Sequence, residues 1–220
     1  MKILALGDCN TYGDVYFKNN AFPERFAKCI GAELLNCGYT MSTTREMIHF
    51  FKEFKSDDTD IILIQYGLVD SWKTFKHAPY VLYYPDNKLR KIYRKIVKKY
   101  KKVTKKLGLY EIFGSENTVP IDEYTKNIEY VIESSKDAKI YLIDTVPSKQ
   151  TFRNKEIQRY NAKMDEIAKN YNNVFRIKLY DDFLMKMDDY YLDHIHLNDF
   201  GYEYIGQKIC QHYLNSFPKA

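Results

Sequence analysis

Asp60-Ile61-Ile62-Leu63-Ile64-Gln65-Tyr66 is the stretch on which the fold turns. A strand with one wet face alternates apolar and polar residues. An unbroken aliphatic run instead predicts a strand covered on both faces, the habit of parallel sheets flanked by helices. The residues on either side repeat that arrangement. Towards the N-terminus, Thr43 or Thr44 caps a helix running to about residue 55, with Met47, Ile48, Phe50, Phe51 and Phe54 at helical spacing. Before it lie a strand at 33–37, a helix at 22–30 with Pro23 in its first turn, and a first strand at 3–7. Towards the C-terminus come a helix at 121–135, a strand at 139–145, a helix at 154–171 and a strand at 173–178. A last helix at 199–214 follows, in which Gly201 and Gly206 lower the helical propensity. Five strands alternating with helices predict an α/β chain with a three-layer, flavodoxin-like architecture: a five-stranded parallel sheet in the order 2-1-3-4-5, within one domain over residues 1–220.

Residues 73–120 interrupt this rhythm, being far longer than the 2–6 residues usual for such a connection. Within them Leu89, Ile92, Tyr93, Ile96, Val97, Tyr100, Val103 and Leu107 recur at three- and four-residue steps, so the insertion contains an amphipathic helix. Its outer face is basic: eleven Lys or Arg and no acid lie between Lys88 and Lys106. The chain carries a net charge of +5, yet outside this block 23 basic residues stand against 29 acidic ones. A mildly acidic body thus bears one strongly basic element. An anionic surface contact through residues 88–107 is one use for it. A lid steering an anionic substrate is another, and a solvated helix docking its apolar face on the domain or on a second subunit is a third. Nucleic acid is not expected as a partner, because the remaining body is acidic and no binding motif is visible. The 21 tyrosines suit half-buried packing, and some suit the lining of a polar groove.

Four cysteines, Cys9, Cys29, Cys37 and Cys210, are scattered without Cys-x-x-Cys pairs. Neither a zinc site nor a disulfide framework is expected from them, and at least three read as buried thiols. No apolar run approaches the ~20 residues that span a bilayer, and the apolar stretch after Met1 is shorter than a signal-peptide core. The default location is cytoplasmic.

Two short segments carry the chemistry. Gly7-Asp8-Cys9-Asn10 closes the first strand, aiming residue 9 at the crevice where ligands of such sheets bind. Asp193-His194-Ile195-His196-Leu197-Asn198 precedes the last helix, with an acid and an imidazole three residues apart. An aspartate that orients an imidazole, and an imidazole that activates a nucleophile, is the logic of a catalytic triad. Asp8 reads as a turn-former. His194 reads as a solvent-facing loop residue. Metal is not expected, since Asp193, His194 and His196 are joined by no further ligands, and no cofactor is implied.

These blocks resemble the SGNH (GDSL-type) hydrolases. In that family a Gly-Asp-Ser block follows strand 1, matched here by Gly7-Asp8-Cys9 with cysteine in place of the nucleophilic serine. A glycine after strand 2 gives its N–H to the oxyanion hole, matched by Gly38 of Asn36-Cys37-Gly38. A Gly-x-Asn-Asp block follows strand 3, where this chain has Gly67-Leu68-Val69-Asp70, so Val69 replaces the side-chain oxyanion donor. An Asp-x-x-His block matches Asp193 and His196. The resemblance implies an esterase, thioesterase or acyltransferase acting on a small or carbohydrate-linked acyl substrate. In it Cys9 is the nucleophile, His196 the base and Asp193 its partner. Gly38 donates to the oxyanion, Asn10 is a substitute donor, and Asp8, Gly67 and Asp70 shape the site. The other reading is a non-catalytic module that binds a glycan or acyl ligand.

Overall fold

The computed structural model describes residues 1–218, apart from the side chains of residues 14, 15, 109 and 110. Strands β1 (Lys2–Gly7), β2 (Glu33–Gly38), β3 (Ile61–Gln65), β6 (Lys139–Ile143) and β7 (Val174–Ile177) form a parallel sheet in the order β2-β1-β3-β6-β7. Counting only these five strands, that is the expected order 2-1-3-4-5. The expected strands fall within one or two residues of the observed ones. The central one, β3, is buried along its whole length.

Alternate residues of each strand serve opposite layers, as the pleat requires. Ile3, Ala5, Ile61, Leu63 and Tyr141 pack against helices α2 (Phe22–Ile30) and α7 (Asp199–Ser216). Leu4, Leu6, Ile62, Ile64 and Leu142 pack against α3 (Thr44–Phe54), α5 (Ile121–Glu133) and α6 (Asn154–Ala168). Helix α3 begins with a capping box: Thr43 Oγ1 accepts from the N–H of Arg45, and the Glu46 carboxylate accepts from the N–H of Thr43.

The insertion holds more structure than the single helix expected. Strands β4 (Lys73–Phe75) and β5 (Ser115–Asn117) pair antiparallel at its base, and α4 (Lys88–Lys106) rises from them. Only one edge of α4 meets the body. Thr104 is buried, Val97 is half-buried, and Arg94 donates to the Leu82 carbonyl at 2.8 Å and to Asp86 at 2.6 Å. Most of its apolar stripe does not dock on the domain: Leu89, Ile92, Tyr93, Ile96, Tyr100, Val103 and Leu107 are 47–71% exposed, and of these Tyr100 sets its ring edge-on against Phe75 of β4 at 5.6 Å.

The cysteine expectation needs correction. Cys29 and Cys210 form a disulfide that joins α2 to α7 across 181 residues, and only Cys9 and Cys37 remain buried thiols. Two helices that pack side by side bring together residues no local spacing connects. Among the described residues, no helix is long and apolar enough to cross a membrane.

Candidate active site

Chain direction places the carboxyl ends of β1, β2 and β3 together, with the segments that follow them at one rim of the sheet. After β1 the chain turns into α1 (Cys9–Tyr12), a single helical turn. Asp8 caps it, its Oδ1 accepting from the N–H of Asn10 at 2.9 Å. Cys9 is therefore the first residue of a helical turn, buried among Leu68, Ile157 and Tyr180, with Ile195 packed against the group.

Ile195 belongs to the loop that bears the imidazole. Asn10 Nδ2 donates to the Ile195 carbonyl at 3.1 Å, tying the residue after Cys9 to the residue before His196 across 185 positions. That contact holds the β1 turn against the loop that bears the imidazole. Asn10 thus acts as a tether, and its Oδ1 is buried with no hydrogen-bond partner among the described residues.

The loop itself is closely held. Asp193 Oδ1 accepts from the N–H groups of Ile195 and His196, both at 2.8 Å, while Oδ2 lies 2.7 Å from His196 Nδ1. Leu192 N–H donates to the His196 carbonyl, Tyr191 bridges to Leu197, and Asn198 caps α7 by accepting from the N–H of Gly201. Partial burial opposes ionisation of Asp193. The N–H groups of His196 and Ile195 and the His196 ring outweigh it, holding the carboxyl down at about 2. An ionised Asp193 against Nδ1 keeps the proton of a neutral imidazole on that nitrogen and leaves Nε2 with its lone pair, as a base requires. His194 is exposed, and its carbonyl accepts from Lys149 N–H and Ser148 Oγ.

The loop after β3 begins at Gly67, where φ is +135° and a Cβ would stand 2.7 Å from Thr145 Oγ1. Only glycine fits there without strain. Leu68 and Val69 follow, both buried, and then Asp70, fully buried, whose Oδ1 accepts from Thr44 N–H at 2.9 Å and Thr44 Oγ1 at 2.8 Å. Asp70 thereby ties the β3 loop to the start of α3. Burial pushes its carboxyl up to about 7, against the two Thr44 donors. Burial pushes Asp8 up to about 7 as well, with the Asn10 N–H pulling the other way and Asp70 adding to the rise.

Gly38 departs from its expected role. Its N–H donates to Asn36 Oδ1 at 2.8 Å, and a Cβ on it would meet Tyr12 N at 2.3 Å. The glycine is there so that β2 and α1 can touch, and its N–H is already engaged. Sequence reasoning passed over Met41, three residues on. Met41 has φ +63°, rare for a side-chain-bearing residue, and among the described residues its N–H has no hydrogen-bond partner. Its sequence position gives no sign of this, because the usual marker of positive φ is glycine. Met41 and Val69 together line a cavity of about 200 Å³, whose other walls include Trp72 and Tyr80 and, from α4, Arg94, Val97, Lys98 and Lys101. Among the described residues, no group of three or more His, Cys, Asp or Glu is arranged to hold a metal ion.

Several solved structures share this architecture. A lipase/acylhydrolase from Enterococcus faecalis superposes with a TM-score of 0.68 at 18% identity, covering 100% of this chain and 98% of that one. A member of the lipolytic protein G-D-S-L family from Veillonella parvula DSM 2008 gives 0.63 at 16% identity, with 100% of both chains covered. Axe2, an acetylxylan esterase from Geobacillus stearothermophilus, gives 0.62 at 15% identity, covering 100% of this chain and 94% of that one. At these identities the likeness speaks for the fold. No curated protein sequence shows significant similarity to the chain. The profile of the GDSL-like lipase/acylhydrolase family matches residues 5–204. With its sheet order, its β1 turn and its Asp193–His196 loop all in the matched span, the chain belongs to the GDSL-like lipase/acylhydrolase family.

Proposed function

We propose that the protein hydrolyses or transfers acyl groups of small or carbohydrate-linked esters or thioesters, with Cys9 as nucleophile, His196 as base and Asp193 as its orienting acid. The observation that carries this reading is the pair of contacts at the His196 loop: Asp193 on Nδ1 at 2.7 Å, and Asn10 on the Ile195 carbonyl at 3.1 Å. In the first step the Cys9 proton passes to His196 Nε2 and the sulfur adds to the acyl carbonyl. The tetrahedral intermediate collapses as the imidazolium returns that proton to the leaving oxygen or sulfur, and a thioester remains on Cys9. Water, or another hydroxyl acceptor, then repeats the sequence in the opposite sense and frees the thiol.

Developing negative charge on the carbonyl oxygen needs donors. The N–H of Met41 takes the part first assigned to Gly38, because the Gly38 N–H is engaged by Asn36. Gly67, Asp8 and Asp70 hold the loops in place rather than exchange protons. The cavity beside Met41 and Val69 receives the substrate, its apolar wall suited to an acyl or sugar-ring face. A more open cleft of about 390 Å³ near Asp144, Asp165 and Lys178 is a weaker choice, because Arg176 and Lys178 already pair with those carboxylates.

Val69, an apolar residue in the cavity wall, favours a second reading, a non-catalytic module for a glycan or acyl ligand. Turnover of p-nitrophenyl acetate and of acetylated xylo-oligosaccharide separates the two. Cys9→Ala and His196→Ala are each expected to lower kcat/KM by about 10³-fold or more, as for nucleophile and base removal elsewhere. Iodoacetamide is expected to alkylate Cys9 at least about ten-fold faster than Cys37, whose thiol burial pushes up to about 12. His196→Ala is expected to slow that labelling. Unchanged turnover in both variants, with Cys9 labelling no faster than Cys37, would overturn the covalent mechanism.

A further inference from the structure

Helix α4 exposes what most helices of this molecule bury. At 100° per residue, Leu89, Ile92, Tyr93, Ile96, Tyr100, Val103 and Leu107 fall within an arc of about 100°, one continuous ribbon along the helix. The edge that meets the body is a neighbouring one, made by Arg94, Val97, Lys101 and Thr104. From the ribbon, Tyr100 rests its ring edge-on against Phe75 at 5.6 Å while staying 47% exposed. Beyond the last turn, Ile112 and Phe113 are exposed as well. Of the eleven cations on the helix, only Lys91 and Arg94 have a carboxylate within ion-pairing distance among the described residues, both using Asp86.

We propose that α4 is an interfacial docking helix, which lays its apolar ribbon into an anionic lipid surface with its lysines against the headgroups. The charges select this occupant. A second copy packed ribbon to ribbon would bring two such cationic helices together, a like-charge juxtaposition. A neutral bilayer would take the apolar ribbon and leave the lysines without counter-charge. An anionic bilayer satisfies both faces, since an amphipathic cationic helix lies in the interface plane with its apolar side among the acyl chains. Residues Arg94, Val97, Lys98 and Lys101 of the same helix wall the cavity that holds Met41 and Val69, so docking brings that cavity to the lipid surface. The docking step itself requires neither Cys9 nor turnover.

The test is flotation of the full-length protein with vesicles. One set contains equal parts phosphatidylglycerol and phosphatidylcholine, and the other contains phosphatidylcholine alone. At about 0.1 M salt the expected result is at least ~10-fold stronger binding to the anionic vesicles, lost near 1 M salt where screening shortens to about 3 Å. Ile92→Glu combined with Ile96→Glu is expected to abolish flotation while melting at the native temperature, both positions being exposed. Replacing Lys95, Lys99 and Lys102 by Gln is expected to weaken it several-fold. Cys9→Ala is expected to float like the native chain, which separates this proposal from the catalytic one. Equal or absent binding to the two vesicle types overturns the proposal. So does undiminished flotation of the double Glu variant, or a stable dimer in light scattering that the same variant dissociates.

Discussion

Helices α2 and α4 both repeat apolar residues at three- and four-residue steps, yet they treat those residues in opposite ways. Helix α2 presses Phe22, Phe26 and Ile30 onto the sheet, whereas α4 turns Ile92, Tyr93 and Ile96 to solvent. The cause is connectivity. Helix α2 joins β1 to β2, adjacent parallel strands, and a crossover between them must lie on the sheet. Helix α4 belongs to an excursion between β3 and α5 whose ends are pinned by the short β4–β5 pair, and nothing in that path obliges its ribbon to face inward. Periodicity shows that a helix has two faces. Topology decides which face is covered.

The most direct way to break this comparison is to truncate one residue on each ribbon. Phe26→Ala is expected to destabilise the protein by about 3–5 kcal/mol, through lost burial and the cavity left behind. Ile96→Ala, 58% exposed, is expected to stay within about 0.5 kcal/mol. Urea denaturation of the two variants measures both. A similar loss at Ile96 would mean that its ribbon is covered in solution.

The Cys29–Cys210 bond lies on the α2–α7 side and sharpens the contrast. Removing it by Cys29→Ser with Cys210→Ser is expected to cost about 2–4 kcal/mol, most of it through the greater freedom of an unfolded chain no longer closed over 181 residues. The vesicle binding of α4 should be untouched. Loss of flotation in that variant would show that the insertion depends on the helix layer opposite it.

The sequence is legible where local rules and topology agree. The aliphatic run of β3, Pro23 in the first turn of α2 and the Thr43–Glu46 capping box each announce an element, and the elements appear there. The Asp193–His196 spacing is legible for the same reason, because a three-residue separation on a tight loop lets the two side chains meet. Three features were not legible. The Cys29–Cys210 pair depends on α2 and α7 lying side by side. Glycine can serve close approach or positive φ, and the letter does not say which: Gly38 serves close approach to Tyr12, while the positive φ sits on Met41. The outward turn of the α4 ribbon follows from where the insertion is anchored, which no window of sequence contains.

Val69 shares a cavity wall with Arg94, Val97, Lys98 and Lys101 of α4. Val69→Asn restores a donor at the place the family uses for one, and kcat is expected to rise about ten-fold, equivalent to roughly 1.4 kcal/mol of transition-state stabilisation. Steady-state kinetics on p-nitrophenyl acetate test it. An unchanged kcat in a folded variant would mean that Met41 N–H and its neighbours already satisfy the oxyanion.

The smallest expected effect concerns Asp193, and its sign follows from the direction of its shift. The folded carboxyl is held at about 2, below the ~3.9 of an unfolded aspartate. A depressed carboxyl contributes stability that is fully present above pH 4 and is lost as pH falls towards 2, where the folded form also protonates. Its side chain is 51% exposed, so solvent screening limits the contribution to well under about 1 kcal/mol. Asp193→Asn should therefore lower stability slightly and evenly above about pH 5, and flatten the profile between pH 5 and 2. Its effect on rate is of another size. An amide at residue 193 still accepts from the two N–H groups but no longer stabilises an imidazolium, and the loss in kcat is expected to reach about 10³-fold or more. The acid limb of the kcat/KM profile then identifies the titrating group. With Asp193 ionised down to about pH 2, a native acid limb above pH 4 belongs to another group, and a limb at pH 2–3 would assign it to Asp193 instead.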